Sequence, residues 1–166
     1  MDIVANKYHA KKKGKNDSGM EYEFKKYLEE NSLKFEEQVT FNLQEKFEKN
    51  GKKYLPIAYK TDFKIAKTLI DVKGVVTADF AIKKKMFEYK YSNYNLKCVR
   101  TVPKWVKIYF GVDWIELDEE KKLKTIIRNF KKENGYKIMN ISYVTAELIE
   151  KINKKVKFFD ILEVIK

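Results

Sequence analysis

Cysteine and histidine are nearly missing: Cys98 and His9 are the only ones in 166 residues. A lone thiol cannot close an internal disulfide, so a secreted disulfide scaffold is excluded and a reducing cytoplasm is the expected location. One Cys and one His also fall short of a structural zinc site. The same scarcity removes most Cys–His and Ser–His–Asp nucleophile chemistry, for which the only available imidazole is His9 in a Lys-rich leader. Proline and glycine number two and six, which argues against a turn-rich all-β design and for long regular elements. No apolar run approaches the roughly 20 residues of a membrane span, and no membrane association is expected. The opening MDIVANKYHAKKK is not expected to be a signal peptide, because its charge follows the short apolar run instead of preceding it.

What is present is a core and an excess of positive charge. Hydrophobic residues make up 44% and aromatics 14%, enough to bury an interior. The length implies one domain with a small appendage. Net charge is +12, and a basic protein of this size usually meets a polyanion, either nucleic acid or an acidic membrane surface. The charge is segregated. Residues 1–16 hold five Lys against one acid, and residues 81–107 hold seven Lys and one Arg against one Glu.

Periodicity orders the chain. Residues 1–16 read as a flexible basic arm. A helix is expected from Ser18, with Ser18 and Glu21 as a capping box and Phe24, Tyr27 and Leu28 at helical spacing. LKFEEQVTFNL reads as extended, and Asn50-Gly51 marks a turn. YLPIAYKTDFKI and TLIDVKG, parted at Ala66-Lys67, read as an antiparallel hairpin. A helix capped at Thr77 follows, with Ala78, Ile82, Met86 and Tyr89 as its stripe, and then a strand, LKCVRTV. Strand, helix and strand in succession imply a right-handed crossover. Leu123, Ile126, Ile127 and Phe130 predict an amphipathic helix over 118–133, stopped by Gly135. YKIMNISYVT reads as strand-like, Thr145 caps a helix to about Lys155, and VKFFDILEVIK is a strand or a short helix.

Within this order one cluster of charges has the makings of a site. On a strand, Asp71 and Lys73 project to one face while Val72 points to the other. If the two hairpin strands pair, Asp62 lies near Asp71. Adjacent carboxylates repel unless a cation neutralises them or a proton is held, and carboxylates with a carbonyl and waters suit Mg²⁺ or Mn²⁺. The short pattern alone is weak: an acid two residues before Lys occurs six times, at Glu23, Asp62, Asp71, Glu88, Glu119 and Glu120. Only Asp71 has both a strand Asp nine residues before it and the apolar flanks Leu69, Ile70 and Val72. A simple same-face ion pair of Asp71 with Lys73 would give the same pattern.

These motifs together, NKYHAKK, S-x-x-E, GKKYLPIAYKTDF and DVKG before a Lys-rich helix, resemble the PD-(D/E)xK nuclease superfamily, and more closely small phage-encoded nuclease-like proteins. The resemblance covers roughly residues 6–100. It implies an α/β restriction-endonuclease-like core with a mixed central sheet flanked by helices, here followed by an additional α+β C-terminal part. The expected division is a basic arm (1–16), a nuclease core (17–110) and an extension (111–166) for substrate binding or dimerisation. The resemblance also implies Glu21, Asp62, Asp71 and Lys73 as catalytic residues, with Asp62, Asp71, Glu21 and the Val72 carbonyl as ligands to Mg²⁺ or Mn²⁺. In spacing only, it extends to phage endonuclease I and archaeal Holliday-junction resolvases. Thr61 stands where the superfamily commonly has Pro, and the turn between the two Asp is short. Glu23 competes with Glu21 for the acidic position, and Glu21 alternatively serves only the cap.

The expected activity is metal-dependent hydrolysis of DNA phosphodiesters, leaving a 5′-phosphate, on branched or replicating phage DNA in the host cytoplasm. Lys11, Lys12 and Lys13 of the arm and Lys83, Lys84 and Lys85 of the helix are candidate phosphate contacts. Trp105, Trp114 and the tyrosines either stack on bases or fill the core. Resolving a junction would require a symmetric homodimer. The rival reading is a non-catalytic basic DNA-binding or nuclease-inhibiting protein, and another is an enzyme acting on RNA.

Overall fold

The computed structural model describes residues 19–166. The basic arm, with His9, Lys11, Lys12 and Lys13, and the capping residue Ser18 lie outside them. The chain divides into two compact units: one holds the residues up to Cys98 together with Ile161–Lys166, the other Val99–Asp160. This division falls at 98/99, where the sequence reading drew it at 110/111.

The first unit opens with helix α1 (Gly19–Glu30), which buries Glu21, Phe24 and Leu28. It stops at Ser32, whose positive φ of 55° breaks the helical path. Strand β1 (Glu36–Gln44) follows, then a small ribbon of β2 (Phe47–Lys49) and β3 (Lys52–Tyr54). The ribbon turns on Asn50 and Gly51, at φ 52° and 70°. Two successive positive φ values define the type I′ turn that Asn-Gly favours and that suits strand twist. Strands β4 (Ile57–Ile65) and β5 (Thr68–Val72) then form the expected hairpin, paired through Phe63–Ile70, Lys64–Leu69 and Ile65–Thr68. All of β5 is buried, as befits a strand covered on both faces.

Helix α2 (Ala78–Lys90) starts at Thr77, whose hydroxyl accepts the Phe80 N–H at 3.2 Å. Its buried residues are Phe80 and Phe87, which corrects the expected stripe: Ile82 and Tyr89 are 61% and 91% exposed. Phe87 meets Phe41 and Tyr59 at ring-centroid distances of 5.1 and 5.3 Å. Aromatic side chains bury the larger area, so the phenylalanines decide which way the helix faces. Strand β6 (Asn95–Thr101) runs from the first unit into the second. The strands form a mixed sheet in the order β1-β4-β5-β6-β7.

The second unit comprises α3 (Lys104–Phe110), β7 (Trp114–Glu116), α4 (Leu117–Asn134), α5 (Ala146–Lys155) and a 3₁₀ turn at Ile141–Tyr143. Leu123, Phe130, Leu148 and Ile152 form its core with Val106 and Ile115. Trp114 is buried and Trp105 packs against this core. Gly135 ends α4 with φ 70°, and Thr145 caps α5. The stretch 136–145 is no strand. Asn140 accepts the Ser142 N–H at 3.4 Å, and Tyr136 stacks on Tyr143 at 4.2 Å, which folds the segment back as a loop. The chain ends in α6 (Ile161–Val164), within the first unit.

Candidate active site

The β4–β5 hairpin positions most of the charged cluster. Its backbone ladder runs as far as Phe63–Ile70, and beyond it side chains take over the pairing. The Thr61 hydroxyl donates to the Ile70 carbonyl at 2.9 Å, and Asp62 Oδ2 accepts the Val72 N–H at 2.7 Å. These two bonds satisfy backbone groups beyond the end of the ladder, and the acids lie there. Asp62 Oδ1 also accepts from Gln38 Nε2 at 3.5 Å.

Asp71 is completely buried. Its Oδ1 is ion-paired with Lys73 Nζ at 2.6 Å, and its Oδ2 accepts a hydrogen bond from the Tyr59 hydroxyl. The Asp62 and Asp71 carboxyls lie within hydrogen-bonding reach of each other. Glu21 is 8% exposed and its charge also acts on Asp62, whereas Glu23 is exposed. Gly74 marks the close approach of α1: a Cβ there would lie 2.8 Å from Met20 Cε. The structure therefore brings Glu21, Asp62, Asp71 and Lys73 together, with the Val72 amide in the same network.

The electrostatics follow from burial and crowding. Burial, then the neighbouring Asp71 and Glu21, push the Asp62 carboxyl up to about 8, against a smaller opposing pull from Lys73. Burial works to lower the Lys73 ammonium, but Asp71 and Asp62 outweigh it and hold the group above its ordinary value. Burial and the charge of Asp71 drive the Tyr59 phenol far above its usual range, so it stays a hydrogen-bond donor. Cys98, under the cluster, is pushed up to about 12 by burial, with Lys84 opposing, and so remains a thiol.

Tyr59 was not foreseen. It lies three residues before Asp62, which simple strand alternation would send to the opposite face, yet both act on Asp71. The helix lysines diverge. Lys83 pairs with Asp79 at 3.2 Å, the charge of Lys84 reaches Cys98, and Lys85 is exposed. Lys73 Nζ lies 4.7 Å from the Phe80 ring centroid, a cation–π contact that helps hold the ammonium over the first turn of α2. Among the described residues no three His, Cys, Asp or Glu side chains form a ready-made metal cage, since the Asp71 oxygens face Lys73 and Tyr59.

A mixed α/β protein with a buried Asp beside a half-buried one and an ion-paired lysine, past the end of a hairpin ladder, is the class that the fold and the cluster define. The chain belongs to the DUF1064 family, described as proteins of unknown function, whose model matches residues 4–107. That stretch contains Glu21, Tyr59, Asp62, Asp71 and Lys73. No curated protein and no solved structure matches the chain.

Proposed function

We propose that this protein is a metal-dependent DNA endonuclease that works from the Asp62–Asp71–Lys73 cluster with Glu21. The observation that carries the reading is an imbalance of buried charge. Fully ionised, Glu21, Asp62 and Asp71 carry three negative charges and Lys73 one positive charge; burial first, and this deficit of two with it, raise Asp62 to about 8. A divalent cation supplies that charge, and the donors present are the all-oxygen kind that Mg²⁺ or Mn²⁺ takes. Asp62, Asp71, Glu21 and the Val72 carbonyl would hold it. Bound there, such an ion lowers the pKa of a water and offsets charge on a phosphodiester.

The chain's own residues supply the rest. Lys73, kept cationic by Asp71, has three N–H donors to orient a water or a phosphate oxygen. Tyr59 is a positioning residue that fixes the Asp71 carboxylate through its hydroxyl. Water adds to phosphorus and the P–O3′ bond breaks, leaving a 5′-phosphate and a 3′-hydroxyl. Lysines around the site supply affinity for the backbone without reading sequence, which favours a nucleic acid over a small phosphoester as substrate.

The test is Asp71→Asn. Nicking of labelled DNA in Mg²⁺ should fall by about 100-fold or more, beyond the loss that follows removal of a metal's outer-shell partner, while DNA binding stays at the wild-type level. Ca²⁺ should support binding without turnover. Wild-type nicking by the variant, or full activity in excess EDTA, would refute the assignment.

A further inference from the structure

The β2–β3 ribbon takes no part in this cluster, yet its composition is sorted. All six strand residues are exposed. The register pairs Phe47 with Tyr54, Glu48 with Lys53 and Lys49 with Lys52. Cross-strand partners share a face and faces alternate along each strand. One face therefore carries Phe47, Tyr54, Lys49 and Lys52, and the other carries Glu48 and Lys53.

The two faces differ in kind. Glu48 opposite Lys53 is a compensated pair. Lys49 opposite Lys52 sets like charges across the strands beside the turn, which costs stability, and among the described residues neither is ion-paired. Below them the Phe47 and Tyr54 rings stack in parallel, 4.5 Å apart at 3°, with Lys52 Nζ 5.4 Å from the Tyr54 centroid. Phe47 is 44% exposed and the adjoining Leu55 is 83% exposed. A shallow recess of about 370 Å³ at the ribbon is lined from both faces, by Lys46, Phe47, Glu48, Lys53, Tyr54 and Leu55. Cations beside an exposed aromatic stack complement a ligand with both negative charge and a flat face.

We propose that the β2–β3 ribbon is a single-stranded DNA-binding arm: Lys49 and Lys52 contact backbone phosphates while the Phe47–Tyr54 stack receives an unpaired base. The inference deepens the endonuclease reading and rests on it for the choice of DNA. An acidic peptide would satisfy the lysines and leave the rings without a partner. Paired duplex offers phosphates but no free base face, so the aromatic half of the surface selects unpaired bases.

Binding of full-length protein to a fluorescent single strand, and to the same sequence as blunt duplex, tests this in EDTA, where metal-dependent cleavage cannot intrude. Phe47→Ala/Tyr54→Ala should weaken single-strand binding about tenfold or more, the loss of one stacked base, and leave duplex binding nearly unchanged. Lys49→Ala/Lys52→Ala should weaken both and flatten the log–log salt slope on the single strand by about 1.4. Lys53→Ala, on the other face, should bind as wild type. If an alanine pair fails to fold by circular dichroism, Phe47→Leu and Tyr54→Leu keep the apolar bulk and remove the π-face. Single-strand affinity unchanged in both double variants overturns the proposal, as does an equal loss on duplex from the aromatic pair. A wild-type protein that binds through the ribbon but never nicks DNA in Mg²⁺ sinks the endonuclease reading and leaves the arm. One that nicks while its ribbon variants bind normally does the reverse.

Discussion

Asp62 sits beside Asp71 and Glu21, where its charged form is disfavoured, and the consequence is measurable with divalent ions removed. Burial and the neighbouring carboxylates push its carboxyl from the ordinary value of 3.8 up to about 8. Between those values the folded state keeps a proton that the unfolded chain has released, so stability falls as pH rises through the window. In EDTA, the wild-type melting temperature should drop between about pH 5 and pH 8 by more than that of Asp62→Asn, at roughly 2–4 °C per kcal/mol for a chain of this size. Parallel profiles for the two proteins would show that another group sets the dependence. Asp62, Asp71 and Lys73 were legible in the sequence because strand alternation puts Asp71 and Lys73 on one face and a two-residue turn returns the chain to Asp62. Tyr59, Thr61 and Gln38 were not, since their bonds depend on where the ladder stops, and no spacing rule marks that point.

Elements with local signals were readable. Asn50-Gly51 announced its turn, Thr77 and Thr145 announced their helices, and Gly135 announced the end of α4. Each works through atoms within a few residues of itself. The face of α2 was misread because Ala78, Ile82, Met86 and Tyr89 fit helical spacing as well as Phe80 and Phe87 do, and only the partners Tyr59 and Phe41 choose between the two stripes. Helix α3 and strand β7 went unread, being seven and three residues long, too short for a period to show. The cap on α2 also bears on the cluster, because the first turn it holds carries Phe80 against Lys73. Thr77→Ala should lower the urea midpoint, a cost of about 1 kcal/mol, with the m-value unchanged. An unshifted midpoint would mean that packing alone fixes the start of this helix.

For the molecule as a whole, on the endonuclease reading proposed above, charge would set how DNA is approached and shape which DNA is chosen. A chain at +12 meets the same phosphates on a four-way junction and on linear duplex, so any preference needs two basic surfaces held at an angle, as a symmetric dimer provides. In competition at fixed salt, the junction should displace labelled linear duplex of the same arm sequences, and sedimentation should find two protomers. Equal affinity shown by a monomer would remove the resolvase reading and leave a general endonuclease. The division at 98/99 and the return of residues 161–166 to the first unit were beyond sequence reading, since no local pattern reports which distant residues a segment will join. That return has a temporal side. Ile161, fully buried, donates its N–H to the Tyr27 hydroxyl of α1 at 3.1 Å. Domains tend to fold as they leave the ribosome, the earliest first. Here the unit whose sequence is translated first lacks its closing segment until all of the second has been made. The first unit is thus closed late, by a peptide that reaches Tyr27 only after residues 99–160 have been translated.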